Sequence, residues 1–258
     1  MKVFLTGASS GIGEALARYY AGEGATLGLF ARREDRLREL QRSLPVPSGI
    51  YAGDVRDLAA LAGAAGEFIG RHGVPDIVIA NAGVSYGTKT EIAADAVVFR
   101  EILDVNVLGL VHTFQPFVAA MRARGSGSLV GIASVAGFRG LPGAAAYSAS
   151  KAAAIRYLEA LRVELRGSGV QVTTICPGFI ATPMTAKNPY PMPFLIGADD
   201  AARRFARVIA ARKSYAVVPW QMAIVGRLLA LVPNGLFDAA ASKRKRKPRK
   251  ENQGSDPD

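Results

Sequence analysis

Sulfur and imidazole are scarce in this chain: Cys176 is the one cysteine, and His72 and His112 are the two histidines. A lone cysteine closes no intramolecular disulfide and builds no cysteine metal cage, and two imidazoles far apart in sequence are a poor start for a histidine site. No metal is expected. Long apolar runs are missing too. The best candidate, Trp220 to Leu231, contains Arg227 and lies between Pro219 and Pro233, which makes it too short to span a bilayer. No charged, apolar, small-residue leader opens the chain, and the 28 glycines follow no triplet period. Together these absences predict a reduced, cytoplasmic protein. What the chain does have is core: half of its 258 residues are apolar and 21% are charged, a composition that excludes disorder over most of the length.

Acidic residues are outnumbered, and the formal charge is +11. The excess is uneven. Residues 243–258 carry seven Lys/Arg (Lys243, Arg244, Lys245, Arg246, Lys247, Arg249, Lys250) against Glu251, Asp256 and Asp258, a share of +4 that leaves +7 for the other 242 residues. No stretch interleaves basic side chains with aromatic rings, so a nucleic-acid surface is not expected. The tail is expected to be solvated and disordered, with contact to an anionic membrane surface as the next reading.

Short apolar runs alternate with helical patterns over residues 1–242. Strands are predicted at Val3 to Leu5, Thr26 to Phe30, Ile50 to Ala52, Ile77 to Ala80, Ser128 to Ala133, Val170 to Ile175 and Tyr215 to Val218. Parallel strands need crossover connections. Seven strands separated by helices therefore predict an α/β, doubly wound (Rossmann) open parallel sheet with helices on both faces, in a single domain. Two segments break the alternation. Residues 179–198 hold prolines at 183, 189, 191 and 193 and read as a substrate loop or lid, and residues 220–231 read as an apolar helix ahead of the basic tail, 243–258.

Directly after the first strand stands Thr6-Gly7-Ala8-Ser9-Ser10-Gly11-Ile12-Gly13, opening a helix. Glycines there remove the Cβ atoms that would block a pyrophosphate, while the helix N-terminus offers free N–H groups and a partial positive charge. A glycine triplet alone is weak evidence. Between a strand and a helix at the head of such an alternation, it marks a dinucleotide site. An acid at the end of the second strand would hold a free ribose 2′-hydroxyl, but this chain has Ala31, Arg32 and Arg33. A guanidinium suits a 2′-phosphate, so NADP(H) is expected over NAD(H). The plainer alternative is that both arginines solvate the start of the helix Glu34 to Ser43. Asp54-Val55 and Asn81-Ala82-Gly83 follow the third and fourth strands, at the carboxyl ends where such sheets bind ligands.

The chemistry is concentrated in Tyr147-Ser148-Ala149-Ser150-Lys151. A spacing of four puts phenol and ammonium on one helical face, where the positive charge is expected to lower the phenol pKa. Ser134, at the end of the fifth strand, is placed to hold a carbonyl oxygen beside that phenol.

With these motifs the sequence resembles the classical short-chain dehydrogenase/reductase family over roughly residues 2 to 220. The glycine motif, Asn81-Ala82-Gly83, Asn106, Ser134, Tyr147 to Lys151 and Pro177-Gly178 occur in that family's order. The resemblance implies that Tyr147 is the general acid of carbonyl reduction and the base of alcohol oxidation. Lys151 would lower its pKa and bind the nicotinamide ribose, Ser134 would polarise the substrate oxygen, and Asn106 would position a water in the proton relay. It also assigns Pro177, Gly178, Ile180 and Thr182 to the nicotinamide side of the cofactor, and it implies a homodimer or homotetramer through the helices after Asp95 and Tyr147. Ala80 departs from the commonest pattern, in which a further asparagine precedes Asn-Ala-Gly.

The expected function is an NADP(H)-dependent carbonyl reductase or alcohol dehydrogenase. The alternative is a cofactor-binding regulatory or membrane-peripheral scaffold of the same fold without turnover. A lipophilic substrate is expected, because Phe138, Leu141, Pro142, Phe179, Met184, Tyr190, Met192, Phe194 and Leu195 fall on the two segments flanking the hydride position. Arg139 complicates this, since it could hold an acidic group of the substrate.

Overall fold

The computed structural model describes residues 1–242 and 245–250. In chain order the elements are β1 (Lys2–Thr6), α1 (Gly11–Gly22), β2 (Thr26–Ala31), α2 (Glu34–Ser43), β3 (Ser48–Ala52), α3 (Leu58–His72), β4 (Ile77–Ala80) and α4 (Asp95–Leu103). A π-helical turn (Asp104–Leu108) joins α4 to α5 (Gly109–Arg124), followed by β5 (Gly127–Ile132), α6 (Ala145–Glu164) and β6 (Val170–Pro177). Then come β7 (Ile180–Ala181), α7 (Pro183–Ala186), β8 (Ile196–Gly197), α8 (Ala198–Ala210), β9 (Tyr215–Val218), α9 (Gln221–Leu231) and α10 (Asn234–Ala241).

Seven strands form one parallel sheet in the order β3-β2-β1-β4-β5-β6-β9, and each coincides with a predicted apolar run. Period-2 alternation sorts their side chains between two cores. Val3, Leu5, Ile77 and Ile79 face the side covered by Leu16, Leu37 and Phe205, whereas Phe4, Val78 and Leu129 face Phe68, Phe114 and Leu158. Phe4 is the hub of the second core, with ring centroids of Phe30, Tyr51, Phe68 and Phe117 at 4.8–6.5 Å. Local signals end the helices where packing alone would not: Asp57 accepts from the N–H groups of Ala59 and Ala60 at the start of α3, and Gly125 takes the left-handed conformation after α5. The strand order reverses between β1 and β4, and a crevice opens there at the carboxyl ends of the strands.

The tail departs from its expectation. In its described part, Lys245–Lys250, Arg249 pairs with Asp95 at 2.7 Å and Lys250 with Glu101 at 2.7 Å, and Gly87 N–H donates to Pro248 O at 2.9 Å. Opposite charge on α4 overrides the repulsion within the basic run. The rest of the tail, 243–244 and 251–258, lies outside the described residues.

Candidate active site

The crevice is a cleft of about 540 Å³, and it gathers in one place most of what the sequence singled out. Gly7, Ser9, Ser10, Gly11 and Ile12 form one end, with Arg32, Arg33, Asp54 and Val55 beside them. Asn81, Ala82 and Gly83 line the middle. Ser134, Tyr147, Lys151, Pro177, Gly178, Ile180 and Thr182 complete the other end. Gly13 and Asn106 do not line it. Gly13 acts one layer below: a Cβ there would stand 2.0 Å from the Gly7 carbonyl oxygen, so glycine is what lets α1 pack against its own entry turn. No side chain caps the first turn of α1, whose N–H groups stay free beside the Ser9 and Ser10 hydroxyls. That donor set fits a pyrophosphate.

Arg33 is the residue preceding α2, yet its side chain turns back to donate to Ser9 Oγ at 3.2 Å and Ser10 Oγ at 3.0 Å. The guanidinium therefore lies over the phosphate-binding turn and does more than solvate α2. Asp54 is bidentate to Arg56, with contacts of 2.6–3.0 Å.

At the catalytic end, Ser134 Oγ accepts from Ala136 N–H at 3.1 Å, and its hydroxyl lies near enough to the Tyr147 phenol to act on its pKa. Tyr147 keeps partial exposure as a residue, but its hydroxyl lies deep. The expected lowering of its pKa does not occur: burial pushes the phenol up, and only the neighbouring Ser134 hydroxyl opposes it. The reason is visible at Lys151. Its ammonium donates to Ile132 O at 2.8 Å and stands 5.8 Å from the Tyr147 ring centroid, and burial pulls its own pKa down to about 8. Asn106, buried on the π-helical turn, spends its side-chain amide on Val84 N (2.8 Å), Val84 O (3.0 Å) and Ser150 Oγ (3.0 Å). That amide braces the Asn81-Ala82-Gly83 turn against α6, with both of its N–H donors engaged.

The expected apolar wall is only partly assembled. Met184 lines the cleft and Tyr190 comes close enough to act on the Tyr147 phenol, but Phe194 and Leu195 are about half exposed. Phe138 packs on Gly226 of α9. Arg139 holds no open acid-binding position: it donates to Leu229 O, Val232 O and Asn234 Oδ1 and stacks 4.1 Å over Phe237, fastening α9 and α10 to the loop after Ser134. Sequence reasoning missed Ser85, Tyr86 and Lys187, which line the cleft, and Lys247, which stands 5.9 Å from the Tyr147 ring centroid. Lys247 was hidden inside a charge run, where no local pattern distinguishes it from its neighbours.

The family model described as short chain dehydrogenase matches residues 1–191. The chain belongs to the short-chain dehydrogenase family. It is an oxidoreductase of that family. An uncharacterised oxidoreductase from Myxococcus xanthus is 42% identical over 241 residues, which cover 92% of this chain and 94% of that protein. Among solved structures, an alcohol dehydrogenase from Thermococcus sibiricus complexed with 5-hydroxy-NADP is 28% identical with a TM-score of 0.74, covering 84% of this chain and 96% of the other. The L-sorbose reductase of Gluconobacter frateurii, complexed with NADPH and L-sorbose, is 27% identical with a TM-score of 0.75, covering 84% and 94%. Short-chain dehydrogenases with bound NADP(H) thus share this fold, and the free donors at α1 suit a nicotinamide dinucleotide.

Proposed function

We propose that the protein is an NADP(H)-dependent carbonyl reductase in which Tyr147 is the proton donor. The observation that carries the reading is the convergence of Ser134, Tyr147 and Lys151 at one end of a cleft whose other end is an uncapped helix N-terminus under Arg33. When bound, the nicotinamide supplies the hydride in reduction and accepts it in oxidation. Ser134 and Tyr147 hold the substrate oxygen, and the Tyr147 hydroxyl gives up its proton as negative charge develops there. Lys151 stays charged at neutral pH and offers its remaining N–H groups to the cofactor ribose.

Arg33, with Arg32 lining the same end, supports NADP(H) over NAD(H). Met184, Tyr86 and Tyr190 support a substrate with an apolar portion. Apolar surface left on α4 and α6 by Val97, Phe99 and Val163 supports a homo-oligomer built through those helices. A cytoplasmic location belongs to the same reading. The test is a panel of ketones, aldehydes and ketoesters assayed by oxidation of NADPH and of NADH. NADPH-specific turnover of at least one class is expected, and a protein that binds NADPH but reduces none of them would leave the scaffold alternative standing.

A further inference from the structure

The described tail crosses the mouth of the catalytic end as a strap. Its backbone is pinned to the loop after β4: Gly87 N–H donates to Pro248 O, Gly87 and Arg249 form a parallel bridge, and a Cβ on Gly87 would stand 2.2 Å from Lys247 O. Arg249 grips buried Asp95 through three hydrogen bonds of 2.7–3.0 Å, and Lys250 holds Glu101. With both following residues fixed outward onto α4, Lys247 is directed inward. Its Nζ donates to Ser85 Oγ at 2.8 Å and lies above the Tyr147 ring.

The three basic side chains are not alike. Arg249 and Lys250 each have an acid, whereas no carboxylate pairs with Lys247 among the described residues. One hydroxyl leaves an ammonium two donors short, and a partly buried cation without an anion is unfavourable unless a ligand supplies one. Lys187 adds a second positive charge facing Lys247, and burial together with Lys187 lowers the Lys247 pKa to about 8, which leaves the ammonium largely charged at neutral pH. The cofactor phosphates have their own donors at α1, while Lys247 stands over the phenol. We propose that Lys247 is a substrate-binding residue that holds a carboxylate on the substrate, so that the preferred class is an oxo acid with an apolar remainder. This rests on the reductase reading of the same site.

The test compares wild type, Lys247→Met and Lys247→Arg on medium-chain 2-oxo and 4-oxo acids and on their methyl esters, which keep the carbon skeleton and remove the charge. Wild type should favour acid over ester relative to Lys247→Met by about tenfold to a hundredfold in kcat/KM, with Lys247→Arg recovering part of the difference. NADPH affinity should be the same in all three. An acid-to-ester ratio unchanged by Lys247→Met, or a loss confined to NADPH affinity, would overturn the proposal. Octanoate binding to the NADP⁺-loaded protein, measured by calorimetry, separates this outcome from failure of the reductase reading. If no substrate is turned over, weaker octanoate binding in Lys247→Met still establishes the anion site, and equal binding in both proteins removes it. Ser85→Ala, which leaves the ammonium but removes its tether, covers the case in which Lys247→Met does not fold; it should weaken octanoate binding too, and unchanged binding there counts against the site.

Discussion

The two ends of the cleft are built in different ways. The cofactor end is made from backbone at the tips of consecutive strands: the turn after β1, the residues after β2 and the Asn81-Ala82-Gly83 turn. The substrate end is closed by side chains that meet across very long separations, such as Arg249 with Asp95 and Lys247 with Ser85, 154 and 162 residues apart. A site made of turns is written into local sequence, because glycine, strand and helix start must follow one another. A site made by a returning strap has no local grammar. Its residues look like any solvated charge run until the acid they meet is known.

The largest expected effect breaks the catalytic end alone. Tyr147→Phe removes one hydroxyl and should lower kcat by about two to four decades while NADPH still binds, as fluorescence titration would show. Lys151→Ala should damage binding and turnover together, because in the proposed mechanism its ammonium serves both the ribose and the catalytic wall. Equal kcat in wild type and Tyr147→Phe would remove the phenol from the mechanism.

Next in size is the cofactor end. Ala31→Asp combined with Arg32→Ser supplies a ribose acceptor and removes a guanidinium, so the NADPH-to-NADH ratio in kcat/KM should fall by about one to two decades. Arg33→Ala should act in the same direction, because its guanidinium already lies across Ser9 and Ser10. A larger loss for Arg32 than for Arg33 would show that the phosphate sits farther from α1 than this arrangement suggests.

Smaller effects belong to the strap. Arg249→Gln should lower Tm by a few degrees at pH 7 and speed amide exchange at Gly87. The hydrogen bonds from Arg249 hold the Asp95 carboxyl below the ordinary carboxylate value. A depressed folded-state pKa gives stability that is present above the unfolded value, about 4, and is lost as pH falls through the lower folded one. The Tm difference between wild type and Arg249→Gln should therefore close below about pH 4. Lys247→Met is expected to raise Tm slightly. With a folded pKa of about 8 against an unfolded value near 10.4, wild type carries the cost of its buried ammonium below pH 8 and sheds it between 8 and 10.4. Ser85, Tyr147 and Lys187 face that ammonium, and none of them supplies a negative charge at neutral pH. A Tm gain that fades with alkaline pH, together with weaker binding of acids, would mark Lys247 as retained for ligand and not for fold.

Legibility follows the same division. The inner strands are readable because a strand buried on both faces must be apolar; the half-buried edge strands β3 and β9 are readable from short apolar runs, and the helix over Tyr147 from its spacing. Gly13 was readable as a glycine, although its work is packing and not ligand contact. Asn106 was placed in the right region, but its amide proved to be tied to Val84 and Ser150, which no spacing rule announces. Phe138 and Arg139 depart from their expected places for one reason: α9 and α10 come back to cover the loop after Ser134, and a partner 90 positions away is not written beside a residue. The Tyr147 pKa departs from its expected direction because a helical spacing fixes the distance to Lys151 but not the burial, which here is the larger effect.

The strand order also has a consequence during synthesis. β1 lies inside the sheet, and its second neighbour, β4, begins only at Ile77. At about 5–20 residues per second, roughly 4–15 s separate the emergence of the two strands from the ribosome. Throughout that interval Val3, Phe4 and Leu5 present an apolar, unpaired edge to solvent, the kind of surface to which other chains add. The nascent chain is therefore most exposed to association with other chains before its first 80 residues are complete, ahead of Ser134, Tyr147 and Lys151.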